Sequence, residues 1–475
     1  MAELQSYTIN NFNGGISDLS NKGVRGAFKF GHGIDLRNTS SALSCNQALK
    51  KDSGTTVTDL IRFGVAATDG AWYGFGDTGK IYKRTAGGGW SLVYTDPDGE
   101  ILGAAEYIHN DGSGNYVSHI VWGTQTKLKK VKTSVGFGAP TTVTTFQNGY
   151  ANEWHTMLEA LGVLFWCDAD YLGILDYEGA FNKTALQFPG GIYSRTLLDS
   201  ADIIIIGATE KERQRRGFLF TWDKLADSWL TKKDLQAQGA RSLNFLEGGV
   251  MVQTGEELKY WDTVNLLPLK QLPGGGETLP GAQSEYKSIG VFGVQGGTKN
   301  GVYGYGRRDK NSPFALNLEY IPSHGNYTDP ANKIGCVSNH QGTMLVSWFD
   351  GTNYGVDVID TANKAVALYQ SLEIDANTPY ADKRWSQVKI VTRPLPAGTS
   401  ISLRAKTNND DDWQVCKTDS QATTMSTTGM KKAVFNIAGA GKGEIIELEL
   451  TLTPNANATP EVLSVNAFHT LLTIY

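Results

Sequence analysis

From Thr56 onward the chain alternates short apolar runs with polar turns, and one grammar recurs in seven places. The segments read "AWYGFG-DTG-KIYKRT", "HIVWG-TQT-KLKKVK", "VLFWC-DAD-YLGILDY", "IIIIG-ATEKERQRR-GFLFTW", "VMVQ-TGEE-LKYWD", "VYGYG-RRDKNSP-FALNLEY" and "LVSWF-DGTN-YGVDVI". Each is an apolar strand, often ending in an aromatic, then a turn built from Gly, Asp, Asn or Thr, then a second strand. β-branched and aromatic residues suit a pleated surface, and those turn residues tolerate turn dihedrals. Corresponding points recur at roughly 40 to 54 residues, the period of propeller blades.

The pattern extends on both sides. "KIYKRTAGGGWSLVYT", "FLFTWDKLADSWLTKK", "LKYWDTVNLLPLKQL" and "VDVIDTANKAVALYQ" each add a further strand, and runs such as "TDLIRFGVAA" and "ARSLNFLEGG" supply one before. Four antiparallel strands per unit make a blade, and blades stacked radially bury faces that one sheet alone leaves open. The predicted fold is therefore all-β: a β-propeller of about seven four-stranded blades over residues 56–378. Residues 1–55, rich in Gly, Asn and Ser, are expected to form an extended arm that donates a strand to close the ring. Residues 379–475 carry short, evenly spaced strands and predict a β-sandwich of jelly-roll type.

Composition narrows the function. Gly is abundant at 55 residues and Pro scarce at 14, as short strands and tight turns require, and the net charge of −5 does not favour a nucleic-acid binder. Cys45, Cys167, Cys336 and Cys416 lie far apart with no C-x-x-C pair and read as buried thiols. The opening "MAELQSYTINNFNGG" lacks the charged and apolar regions of a secretory signal, and "ADIIIIGA" is too short to span a bilayer. Neither secretion nor membrane insertion is expected.

Two segments carry a resemblance. The start, "FNGGISD…GAFKFGHGIDLRN", resembles the N-termini of virion proteins of tailed bacteriophages, and "KIVTRPLPAGTSISLRAKTNNDDDW" resembles the β-sandwich that follows their propeller-like region. The resemblance implies a virion subunit of the tail hub, nozzle or tip, or of the head-to-tail connection, assembled with itself in a ring and with other tail or connector proteins. It implies no catalytic residue. DNA passing through the ring's channel and a host surface glycan are further partners that such a place would allow, and the alternative function is a carbohydrate-binding or carbohydrate-cleaving receptor-recognition propeller of the tail.

The motifs that suggest chemistry favour structural readings. Gly74, Gly76 and Gly79 match G-x-G-x-x-G, and Gly74 to Lys80 approach a phosphate-binding loop. Such a loop needs Ser or Thr after Gly-Lys and a helix starting there; Ile81 follows Lys80, and the next residues favour strand. The turn reading has Asp77 open the turn and Gly79 take the positive φ. Asp168, Asp170, Asp176 and Glu178 crowd in "CDADYLGILDYEG" and could suggest a glycosidase pair, but read more simply as turn formers. The seven histidines are dispersed, with none at metal-ligand spacing, and "NNDDDW" (408–413) reads as a solvated turn rather than a calcium loop. No catalytic residue, cofactor or metal is expected. The basic clusters "KLKKVK" (127–132) and "GRRDK" (306–310) read as solvated blade edges. "KERQRR" is an unusually long hairpin loop, and Lys211, Arg213, Arg215 and Arg216 are its candidates for contact with a neighbouring subunit.

Overall fold

The computed structural model describes residues 3–37, 41–110, 113–148, 153–211, 216–408, 412–437 and 441–472. The chain divides into two compact units, Lys50–Val302 with Pro322–Val358, and Met1–Leu49 with Tyr303–Ile321 and Ile359–Tyr475.

The first unit is the propeller. Blade one is the up-and-down sheet Ile61–Ala66, Trp72–Gly76, Lys80–Arg84, Trp90–Thr95, and blade two is Gly103–Asn110, Tyr116–Gly123, Lys127–Lys132, Thr141–Thr145. Blade three runs from Met157–Ala160 to Phe181–Gln187, blade four from Ile192–Ser200 to Thr231–Asp234, and blade five from Ser242–Leu246 to Leu266–Gln271. Blade six opens with Gln283–Tyr286 and Ile289–Val294 and continues into Gly301–Gly306; blade seven has Lys333–His340, Thr343–Phe349 and Tyr354–Lys364. The innermost strand of each blade neighbours that of the next, and Lys333–His340 of blade seven neighbours Ile61–Ala66 of blade one, so seven blades close a ring.

The core lies between blades. Phe63, Tyr73, Phe75 and Ile81 of blade one meet Ile120 and Trp122 of blade two, and Ile61, Trp72 and Tyr82 meet Cys336, Leu345 and Val356 of blade seven. The same arrangement joins blades two and three, three and four, and four and five. Each middle strand is therefore covered on both faces, which is why "WYGFG", "VLFWCD" and "GVMVQ" are apolar without alternation. Outer strands such as Phe181–Gln187 are largely exposed and polar.

The ring is closed by the N-terminal segment. Gln47–Lys51 is the fourth strand of blade seven, and Asp52 N and Ser53 N donate to Val356 O at 2.9 and 3.3 Å. The strand-donating role expected of residues 1–55 is present, but "VALYQ", aligned as the last strand of this blade, is not there. Ala367–Gln370 pairs instead with Phe30–His32 and Ile446–Thr453 in the second unit. A blade has one place beside its third strand, and the N-terminal segment occupies it. The sixth hairpin also shifts by one strand: "VYGYG" and "ALNLEY" are the third and fourth strands, and "IGVFGV" is the second.

The second unit holds two sheets. One has the order Gln5–Ile9, Val462–Leu471, Lys383–Thr392, Lys432–Asn436, Lys417–Thr418; the other runs from Ala315–Tyr320 through Phe30–His32, Ala367–Gln370 and Ile446–Thr453 to Ser400–Thr407 and Gln414–Val415. Burial alternates along Lys383–Thr392 and Ser400–Thr407, as strands with one covered face require. Unlike the three successive segments 1–55, 56–378 and 379–475, the compact units interleave in sequence. Residues 1–49 belong with the C-terminal strands, and Gln5–Ile9 pairs along the chain's final strand, Gln5 opposite His469 and Ile9 opposite Val465.

Candidate interaction site at the centre of the ring

Two inner strands break their register at an arginine. In blade one the pairing passes from Ile61↔Gly76 to Phe63↔Phe75, which leaves Arg62 as the extra residue. In blade four it passes from Ser194↔Ala208 to Thr196↔Gly207, which leaves Arg195. A bulge of this kind bends the strand and re-aims the side chain it releases. Blade seven has the same shift at Gly335, where a Cβ would lie 2.2 Å from Ile61 O, so no side chain fits.

The released arginines converge. The Arg62 and Arg195 guanidinium carbons lie 5.4 and 5.6 Å from the centre of the Trp154 ring, on which they make cation–π contacts. Phe63 meets the same indole edge-on at 5.9 Å. Blades one and four are not neighbours in a ring of seven, so an indole touched by both stands across the centre of the propeller. Charge is matched around it. Arg62 Nη1 donates to Glu100 at 2.8 Å, and Arg195 Nη2 to Glu277 at 2.6 Å; Arg241 Nη1 shares that Glu277 oxygen at 3.4 Å. Blades one and four, and the loops entering blades two, three, five and six, thus all contribute.

Burial makes this cluster electrostatically tense. The Arg195 side chain is 12% exposed. Its burial, and then the neighbouring Arg241 cation, pull its pKa down to about 10, while Glu277 opposes the shift. Burial holds the Glu153 carboxyl above the usual range, with Lys211 and Arg195 opposing. Among the described residues, the Nε atoms of Arg62, Arg195 and Arg241 and the Thr278 Oγ1 are buried without a partner. Among the described residues the arrangement has no nucleophile paired with a base. Its chemistry is a cross-brace of ion pairs and cation–π contacts that leaves spare donors.

Lys211 ends Ile203–Glu210, donates its N–H to Gly191 O at 2.8 Å and places Nζ 4.7 Å from the Tyr193 ring centre. Arg216 is largely exposed and pairs with Asp234 at 2.8 Å. Arg213 and Arg215 lie outside the described residues. The other basic clusters are more internally paired than solvated edges would be. Lys127 reaches Asp98 at 2.9 Å, and the buried Lys129 reaches Asp96 at 2.6 Å. In the second unit Arg308 pairs with Asp309 at 2.7 Å.

The acidic cluster caps turns. Asp168 accepts from Gln147 N and Asn148 N at 2.6 and 3.1 Å, and Asp176 Oδ1 from Glu178 N and Ala180 N, both at 2.9 Å. The "GFGDTGK" loop is the hairpin between the second and third strands of blade one. Gly79 takes a φ of 91°, and a Cβ there would meet Gly99 O at 2.5 Å. Asp77 does not cap this turn. Asp59, from the preceding loop, accepts from Thr78 N at 3.0 Å and Thr78 Oγ1 at 2.7 Å. Residues 409–411 of "NNDDDW" lie outside the described residues. Sequence reasoning missed the central arginines: in "IRFGV" Arg62 holds a regular polar position between apolar neighbours, and nothing local marks the bulge.

No family model matches the sequence, and no curated protein matches it. Solved structures share its outline. The WD40 propeller domain of Doa1 is 12% identical, with a TM-score of 0.46, over 66% of this chain and 97% of that one. Raptor of Chaetomium thermophilum is 12% identical, with a TM-score of 0.47, over 67% of this chain and 30% of that one. The WD40 repeats of RRP9 are 11% identical, with a TM-score of 0.46, over 66% of this chain and 99% of that one.

Proposed function

We propose that this protein is a non-enzymatic structural subunit of a bacteriophage virion, a ring-forming tail protein of the hub, nozzle, tip or adaptor. The observation that carries the reading is the path of the chain. It passes between the two compact units four times, at 49/50, 302/303, 321/322 and 358/359. Each unit is therefore built from segments distant in the sequence, an arrangement that suits a structural subunit. The virion-like segments at 12–38 and 389–413 point the same way. Lys211 and Arg216, with Arg213 and Arg215 in the same loop, are the side chains we assign to the contact with the next copy, because a long charged hairpin at a blade end can reach a neighbouring subunit. In this reading the protein is made in the host cytoplasm and joins the particle there, and DNA passes through the channel of the assembled ring.

Sedimentation and negative-stain microscopy of the purified full chain test the proposal, together with mass spectrometry of purified particles. Closed rings, or the chain among virion proteins, support it. A chain that stays monomeric at high concentration and is missing from particles ends it.

A second reading, recognition of a host surface glycan, is favoured by one observation. Tyr116 of blade two and Tyr177 of blade three are 75% and 50% exposed, and Asn110, paired opposite Tyr116, donates its N–H to Tyr177 O at 2.9 Å. Exposed aromatic planes are where sugars stack. Binding on a glycan array that Tyr116→Ala and Tyr177→Ala both abolish would support it.

A further inference from the structure

Blade two carries a cavity that neither the brace nor the ring contact uses. It has a volume of about 330 Å³, and its lining includes His109, His119, Lys130, Lys132, Val135 and Ala139. At about 30 Å³ per water, that is space for roughly ten waters, or for a small organic anion.

The register explains the gathering of basic groups. His119 lies opposite Tyr107 on one side and opposite Lys132 on the other; Lys130 is two residues from Lys132 and so shares its face. His109 is two residues from Tyr107 on the inner strand, and its ring centre is 4.6 Å from that of His119. Four basic side chains from three strands therefore border one space. Val135 and Ala139, on the loop to the fourth strand, add apolar wall.

Each basic group feels the others. The His119 pKa falls to about 4, first through burial, then through Lys130, His109 and Lys132. Burial and Lys132 also depress Lys130. Asp176 and Glu159 of blade three act on the Tyr107 hydroxyl, which donates to Asp176 O. Glu106 lies one residue from Tyr107, on the opposite face of the strand, and takes hydrogen bonds from Thr68 and Ser118. Among the described residues, no carboxylate is bonded to Lys130 or Lys132.

We propose that this cavity is an anion-binding site that takes a carboxylate or phosphate head group on a small apolar body. Lys130 and Lys132 neutralise the head group, the two imidazoles donate to its oxygens, and Val135 and Ala139 cover the body. Bound charge removes the mutual repulsion of the four basic groups, so occupancy draws a proton onto His119.

Histidine-selective labelling of the full chain tests this by nuclear magnetic resonance. Inorganic phosphate and benzoate are titrated separately at constant ionic strength. The expected result is a saturable shift of the His109 and His119 signals with one or both probes, a rise in the His119 pKa on binding, and no change at His32, His155, His324, His340 or His469. Response to phosphate alone or to benzoate alone identifies the head group. The exposed Lys132, replaced in Lys132→Gln, weakens binding several-fold without loss of fold; Lys130→Met with Lys132→Gln removes saturation. The proposal is overturned if neither probe gives a saturable shift, or if Lys132→Gln binds both as tightly as the parent chain.

Discussion

Arg195 and Glu277 come from the fourth blade and from the loop entering the sixth, and they meet at 2.6 Å. Glu277 also receives Arg241 at 3.4 Å, so one carboxylate holds two arginines that would otherwise repel. Removing one member of a buried pair leaves the other charge uncompensated, which is costlier than the pair is stabilising. Glu277 is 45% exposed, and water tempers that cost. Glu277→Gln is expected to destabilise the chain by about 1–2 kcal/mol. Urea unfolding checks this; an unchanged midpoint would show that the brace is not stabilising.

The inner strands approach so closely that one methyl group is too much. A Cβ on Gly103 would lie 1.7 Å from His155 O, whereas one on Gly87 would meet nothing within 4 Å. The clash is with backbone, which cannot swing aside. Gly103→Ala is expected to cost about 3 kcal/mol or more, and Gly87→Ala to lie within about 0.5 kcal/mol of the parent. Equal thermal midpoints for the two variants would contradict the ring geometry.

Asp77 and Asp59 place two carboxyl groups together under the first-blade turn. Burial, and then hydrogen bonding and repulsion from Asp59, raise the Asp77 pKa to about 7. The folded chain therefore keeps a proton that the unfolded chain has released above its ordinary carboxyl range. The contribution of Asp77 to stability is present at low pH and is lost as pH rises toward about 7. Asp77→Asn removes that loss. Relative to the parent, it should gain about 1–2 kcal/mol between pH 5 and pH 8, less than the full shift implies because the site is partly solvated. Denaturant midpoints at the two pH values decide; a parallel response of both proteins rules out the shared proton.

Arg216 is 60% exposed, and its pair with Asp234 contributes little to folding. Charge reversal at Arg216 should therefore leave the melting temperature nearly unchanged and yet weaken assembly. Sedimentation velocity of Arg216→Glu provides the check. Rings of undiminished stability would remove this loop from the contact.

The blades were legible in the sequence because their signal is local. A middle strand such as "WYGFG" must be apolar on both faces, and its turn must offer Gly79 a positive φ, so residues 72–84 identify a hairpin unaided. Repetition of that hairpin implied a ring, since a lone sheet cannot cover its own faces. Other features depend on partners distant in the chain. "VALYQ" has the composition of a blade strand, but whether it or Gln47–Lys51 lies beside Tyr354–Lys364 is a competition between segments some three hundred residues apart. The turn at Thr78 looked self-sufficient, yet it is capped by Asp59. The central brace was the least legible part. Arg62 and Arg195 look like ordinary polar positions until a bulge turns each toward Trp154, and a bulge is decided by how neighbouring inner strands fit. Short apolar runs and turn chemistry alone determined the hairpins and their seven-fold repetition. Tertiary packing decided which strand closes the ring, where residues 1–49 belong and which charges meet at its centre, because those outcomes depend on distances between segments that sequence neighbours do not constrain.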